Sequence, residues 1–138
     1  MVFLKRTCYL LFIFMLLRYW IFIFFIPILL FGQQEKKIDS LHELYSKVQN
    51  KDLIRELKYA EQAVILSEAS VGEDTLKLIS YNNYINTLYK LRKIELAEKI
   101  NEKMKNLAQN QNNRRFLNLY YYHSSCLLYT SPSPRDRG

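Results

Sequence analysis

The chain has 138 residues, with 20 lysines and arginines against 13 acidic residues and a formal net charge of +7, so it can hold one domain and a leader. Three basic residues lie in an apolar N-terminal stretch and two in the last four positions, which leaves 15 basic and 12 acidic side chains between residues 33 and 125. That near balance removes the main support for nucleic-acid binding, which depends on basic residues clustered on one face. The same stretch has no cysteine, which excludes a disulfide framework and a thiolate metal site there.

Residues 1–32 form an apolar leader. Lys5 and Arg6 precede an apolar run from Leu10 to Phe31, close to the roughly 20 residues that span a bilayer. Counted from Met15 as a second possible start, the leader has the anatomy of a cleaved secretory signal that ends at Gly32. Both alternatives, a signal peptide and a retained membrane anchor, place the remaining chain outside the cytoplasm, because the positive charges precede the apolar run. We therefore expect a periplasmic protein or one anchored in the membrane and facing the periplasm.

Helices are predicted through residues 33–124, because this stretch has no proline and a single glycine. Ser40 and Glu43 fit a capping box, which predicts a helix start at Ser40. Asp52 is a candidate cap for a second helix, and Gly72 is predicted to end that helix in a left-handed conformation. The apolar positions expected to be buried are Leu41, Leu44, Tyr45 and Val48 in the first helix and Leu53, Leu57, Ala60, Ala63, Val64 and Ser67 in the second.

Residues 74–108 predict two helices folded back on each other. Each half has apolar residues at three- and four-residue spacing, namely Leu78, Tyr81, Ile85 and Leu88, then Ile94, Ala97, Ile100, Met104 and Leu107. The corner between the halves is too short for anything but a reversal, so the two stripes face each other. A single pair leaves a flank uncovered, and we therefore predict an all-α stack of helix pairs. The small residues Ala60, Ala63 and Ala97 are expected where helices approach closely.

Residues 58–69 align with residues 95–108, which indicates a repeating unit of about 40 residues. The third unit is predicted to begin at Arg114. Its apolar residues Phe116, Leu119 and Tyr122 are expected to lack the helix that would cover them. The segment NNYINTLYKLRKIELAEKINEKM (82–104) resembles a tetratricopeptide repeat, with Ala97 as its central small residue. Arg92 stands where that family often has glycine. The resemblance implies an α-solenoid of about two and a half antiparallel helix pairs whose partner is a protein or a peptide.

The ending FGQQ of the leader, followed by KKIDSLHELY and the repeats, also resembles the extracytoplasmic front end of Bacteroidota sensor proteins. In those proteins the repeats precede a membrane helix and a histidine kinase or helix-turn-helix output domain. The resemblance implies a non-catalytic scaffold or sensory segment, the N-terminal fragment of a signal-transduction protein whose missing part could carry kinase activity. The alternative is a complete, small, membrane-anchored helical protein with a structural role.

Residues 125–138 are interpreted as a non-native tail. The run CLLYTSPSPRD, Cys126 to Asp136, contains two of the three prolines and resembles a translated sequencing adapter. On this interpretation the natural chain continues beyond about Ser124, and no function belongs to Cys126, Tyr129, Pro132 or Pro134. The alternative is a genuine linker rich in proline and serine.

No catalytic, metal or cofactor site is predicted. Surface or capping roles are expected for His42 and His123, since no cysteine or carboxylate pair stands near either at ligand spacing. If the repeat resemblance holds, Asn82, Asn86 and Tyr89 line a groove on the first helix of their pair, with Asn83 beside them. Side-chain amides in such a groove can hold a peptide backbone or a carboxylate. These four residues are the predicted peptide-binding site.

Overall fold

The computed structural model describes residues 1–70, 72 and 74–130, and within these it leaves out the side chains of residues 24–31 and 127–130. The described elements are α1 (Val2–Val48), α2 (Leu53–Ala69), α3 (Asp74–Lys90), α4 (Ile94–Asn110) and α5 (Arg114–Thr130). The predicted all-α, repeat-like fold is confirmed. The chain divides into two compact units, residues 1–34 and 35–138. Residues 131–138 of the predicted tail lie outside the described part.

The first unit is helical and apolar. Within it, Val2–Ile23 is long and apolar enough to cross a bilayer, with a mean hydropathy of 1.6, and both a signal peptide and a membrane anchor fit such a helix. The predicted helix start at Ser40 is wrong, because α1 continues through this position to Val48. Every residue after Gly32 up to this point can stay helical, so the capping pattern at Ser40 has no break to cap.

The later helices are uniform in length, and two of the corners that join them are alike. Helices α2 to α5 have 17 residues each. Arg92 and Asn112 both have a positive φ, of 57° and 51°. In each corner the residue after this one donates its N–H to a carbonyl five residues back, Lys93 to Leu88 at 3.0 Å and Asn113 to Ala108 at 2.8 Å. This is the Schellman ending of a helix, so Arg92 takes the backbone role that the family often gives to glycine.

Within the second unit, α3 lies between the C-terminal part of α1 and α5, and α2 and α4 pack against α3. Hydrogen bonds join α3 to α1, through His42 and Ser80, and to α5, through Asn82 and His123. Helix α3 also packs on α2 and on α4, and α4 packs on α5. The result is two layers of helices, as expected for stacked helix pairs.

The core follows the predicted stripes with a few differences. Ala60, Ala63 and Ala97 are at most 1% exposed, which leaves no room for a larger side chain. Among the predicted apolar positions, Leu44 is exposed, and Phe116 is buried against its neighbours although it was expected to await another helix. The buried apolar residues that form one cluster are Tyr45, Ala60, Val64, Leu78, Tyr81, Tyr84, Ile85, Leu88, Ala97, Ile100, Met104, Ala108 and Phe116.

The end of α2 also differs from the prediction. The helix is closed by Ser70, which is extended and donates its N–H to the carbonyl of Leu66. Gly72 therefore comes two residues too late to be the left-handed cap. The start of α2 is as predicted, because the Asp52 carboxylate accepts the N–H of Arg55 at 3.1 Å.

Candidate functional site

The side of α3 that faces α1 and α2 surrounds a buried carboxylate. Glu56, on the first turn of α2, is 0% exposed. Its Oε1 accepts hydrogen bonds from the ammonium of Lys90 at 2.6 Å and the hydroxyl of Thr87 at 3.1 Å. A longer bond comes from the hydroxyl of Tyr45, at 3.4 Å. Its Oε2 accepts the backbone N–H of Asn50 at 3.1 Å. One side chain of α2 thus ties α1, α3 and the first corner together.

Electrostatics keep Glu56 ionised in this buried place. Burial alone would raise the pKa of its carboxyl, but the hydrogen bonds from Lys90, from the Asn50 N–H and from Thr87 outweigh it and hold the pKa below its usual value. Burial raises the pKa of the neighbouring Tyr45 hydroxyl to about 12, so this group stays a donor. Both carboxylate oxygens accept hydrogen bonds from groups of the same chain, and the side chain is closed to solvent. We assign it a structural role.

A second polar contact on this side joins a histidine and a serine. His42 Nε2 lies 2.9 Å from Ser80 Oγ, and Asp39 lies one helical turn before the histidine. Aspartate, histidine and serine follow one another here in an order found in hydrolase triads, but the geometry of the histidine–serine contact is not that of a triad. Ser80 is 0% exposed and its hydroxyl donates to the carbonyl of Leu76 at 2.8 Å, so the imidazole is the donor and the serine oxygen is closed to a substrate.

The opposite side of α3 binds a histidine of α5. His123 is 2% exposed, which corrects the expectation of a surface or capping role. Its Nε2 lies 3.0 Å from Asn82 Oδ1, and its ring stacks on Tyr89 with centroids 5.6 Å apart. The Tyr89 hydroxyl donates to the backbone carbonyl of His123 at 3.1 Å. Burial lowers the pKa of the imidazole to about 4 and raises that of the Tyr89 hydroxyl to about 12, so both groups are neutral near pH 7.

Beside this contact lies a cleft of about 740 Å³, a size typical of ligand sites. We call it the α3–α5 cleft; its lining residues are Asn86, Tyr89, Arg92, Ile94, Tyr122, His123 and Cys126. Arg92 is the one cation among these described residues, and none of them carries a carboxylate. Tyr122 is 62% exposed, so an aromatic face is open at the wall of the cleft.

The four predicted site residues do not share one surface. Asn86 and Tyr89 line the α3–α5 cleft. Asn82 lies behind it, engaged by His123. Asn83 is on the side of α1, where its backbone carbonyl accepts the Tyr45 hydroxyl at 3.1 Å. The side chain of Asn86 makes no hydrogen bond within the described part of the chain, so its amide group is available to a ligand. The prediction missed Arg92, Tyr122 and His123, which come from the corner and from α5.

Comparison with known proteins adds no relative. No protein-family model, curated protein or solved structure matches the chain. Among the described residues no group of three or more histidine, cysteine, aspartate or glutamate side chains could hold a metal ion. The class of protein that the fold defines is therefore an all-α helical-repeat protein with an apolar N-terminal helix. The tetratricopeptide and sensor resemblances stay predictions.

Proposed function

We propose that this chain is a non-catalytic scaffold that binds an extended segment of a partner protein in the α3–α5 cleft. The observation that carries the proposal is Asn86, whose side-chain amide has no hydrogen-bond partner in the described chain and which lines a cleft of about 740 Å³ together with Tyr89 and Tyr122. A free amide can pair with both the N–H and the carbonyl of a peptide unit. The exposed ring of Tyr122 in the same cleft supplies the apolar contact that anchors a bound side chain.

Charge favours an acidic segment. Arg92 stands in the corner between α3 and α4, exposed, and its neighbour Lys93 is exposed too. Helix α4 begins directly after them, and the side chain of its N-cap residue Lys93 makes no capping hydrogen bond, so the positive end of the helix faces the same corner. Glu95 is the acid of this first turn, and the two cations outnumber it. A peptide that carries a carboxylate, either a side chain or its own terminus, would find compensating charge there.

We further propose that the binding unit works outside the cytoplasm, as the sensory or scaffolding part of a signalling protein. The support is the N-terminal apolar helix, which carries Lys5 and Arg6 near its start, before the apolar run, and is long enough to be a signal or an anchor. The balanced charge of residues 33–125 suits contact with protein.

The test is a selection from displayed random peptides on the full chain in lipid nanodiscs, with empty nanodiscs used to remove lipid binders. Enriched peptides are then measured by fluorescence anisotropy. We expect Asn86→Ala to weaken binding about fivefold to tenfold, the value of one or two hydrogen bonds. Asn83→Ala is the matched control, because Asn83 is also an asparagine of α3 but lies on the side that faces α1. This substitution should leave peptide affinity unchanged.

Arg92→Gly separates binding from stability. Removal of the guanidinium should weaken acidic peptides more than tenfold, because hydrogen bonds to charged groups are worth roughly 1.5–3 kcal/mol. The left-handed corner accepts glycine without strain, so the melting temperature should not fall. Failure to enrich any peptide, or equal losses from Asn83→Ala and Asn86→Ala, would refute the proposal.

A further inference from the structure

Helix α5 is held on α3 by one buried imidazole that makes several contacts at once. His123 uses its ring nitrogen for Asn82, its ring face for Tyr89 and its backbone carbonyl for the Tyr89 hydroxyl. A hydrogen bond to the amide oxygen requires a proton on Nε2, so the neutral ring leaves Nδ1 without one. A second proton would turn this buried ring into a cation.

Among the described residues that line this place, none carries a carboxylate that could compensate the cation. On α3 the facing groups are the neutral Asn82 and Tyr89, and on α5 they are Tyr122 and Cys126. The corner contributes Arg92, which is itself positive, and α4 contributes the apolar Ile94. On α4, Glu98 is exposed and its charge acts on the Tyr89 hydroxyl, while burial is the cause of the lowered pKa of the imidazole. Protonation in place would therefore bury a charge with no opposite partner.

We propose that His123 is an acid-sensitive latch, whose protonation releases α5 from α3 and so removes one wall of the α3–α5 cleft. The release of α5 stands on the contact itself, and only the consequence for a bound peptide rests on the proposed function. Released, the imidazole is hydrated and takes up a proton easily. While α5 is docked on α3, the buried imidazole binds a proton less readily. Acid thus favours the released state.

The direction and the size of the pH effect on the α3–α5 contact follow from the linkage between proton binding and docking. The pKa of His123 is lowered from 6.5 to about 4 when docked, so the stability of the contact is complete above pH 6.5 and is lost as the pH falls towards 4. Between about pH 7.5 and pH 5 the ratio of released to docked α5 should rise about 30-fold. Glu56 and Glu68 have lowered pKa values, so they weaken the fold only at still lower pH. Burial also lowers the pKa of His42, which weakens the α1–α3 contact in the same direction, but this effect is common to the wild type and to a variant of His123.

The experiment is hydrogen exchange with mass spectrometry on the full chain in nanodiscs, without any peptide, at these two pH values and corrected for intrinsic exchange. We expect protection of α5 to fall about 30-fold relative to protection of α2 in the wild type. His123→Gln keeps a donor near the position of Nε2 and cannot titrate, so its α5 protection should change less than about threefold. Equal losses in the two proteins would overturn the proposal.

A direct titration covers the case in which the variant does not fold. In the wild type, the ring carbon shifts of isotope-labelled histidine should show His123 protonating at least one pH unit below its ordinary value. A titration at or above 6.5 would overturn the latch. Neither measurement uses a peptide. If the latch operates and no peptide binds, the proposed function fails alone; if peptides bind equally at both pH values with α5 docked, the latch fails alone.

Discussion

The buried pair Glu56 and Lys90 gives the most decisive test of the fold, through the change Lys90→Met. Methionine keeps most of the length and apolar stem of lysine but removes the ammonium that lies 2.6 Å from Glu56 Oε1. Removing one partner of a buried ion pair costs about 3–5 kcal/mol. Here the Lys90 side chain is 33% exposed, so water can reach the vacated place and replace part of the interaction. We expect the free energy of unfolding to fall by about 2 kcal/mol.

The assay is urea unfolding of the full chain in detergent micelles, followed by circular dichroism, with a double-mutant cycle. In a Glu56→Gln background the carboxylate is absent, and Lys90→Met should then cost less than about 0.5 kcal/mol. The effect should also shrink in acid, because the folded pKa of Glu56 lies below its usual value and a protonated carboxyl needs no cation. Lys99→Met, on the exposed face of α4, is the control for loss of a surface lysine. An equal cost in both backgrounds would refute the coupling.

Two further substitutions test the corners and the close helix contacts. Arg92→Gly should raise the free energy of unfolding by about 0.5–1 kcal/mol, because Arg92 has a φ of 57° that glycine adopts without strain. Asn112→Gly should raise the free energy of unfolding by less, since asparagine tolerates that region. Thermal melts that rank the two substitutions the other way would contradict the argument. Ala97→Leu should lower stability by about 1–3 kcal/mol through overpacking at a site 0% exposed, whereas Ala69→Leu, on an exposed position of α2, should change it by less than about 0.5 kcal/mol.

Much of the fold could be predicted because it depends on local spacing. The apolar stripes of α3 and α4 face each other, and the corner between them is as short as the sequence requires. The start of a helix at Ser40 was predicted wrongly, since a capping pattern marks a start only where the preceding residues leave the helix, and these do not. The buried carboxylate of Glu56 could not be predicted in this way. Its partners Thr87 and Lys90 lie 31 and 34 residues further on, and no local pattern joins them.

The candidate site divides in the same way. Asn82, Asn86 and Tyr89 were selected from the repeat resemblance together with their spacing on one helix, and all three lie towards α5. Spacing could not show that Asn82 is already engaged, since its partner belongs to another helix. A signal for His123 did exist: it follows Phe116 by seven residues, two helical turns, and so shares the buried face of α5. A histidine on an apolar face is expected to be buried and hydrogen-bonded.

The two polar sides of α3 explain why the cleft has a defined shape. Apolar stripes alone allow one helix to slide past another by a turn, about 5.4 Å, with little loss of buried area. The hydrogen bonds of Glu56 to Thr87 and Lys90 do not survive such a shift, nor does that of His123 to Asn82. The first set fixes the register of α3 against α1 and α2, and the second fixes α5 against α3. Because the second set depends on a neutral imidazole while the first depends on an ionised carboxylate, moderate acid should break the bond of His123 to Asn82 while the bonds of Glu56 persist. The pKa of His42 is also lowered by burial, so its bond to Ser80 should weaken in the same direction.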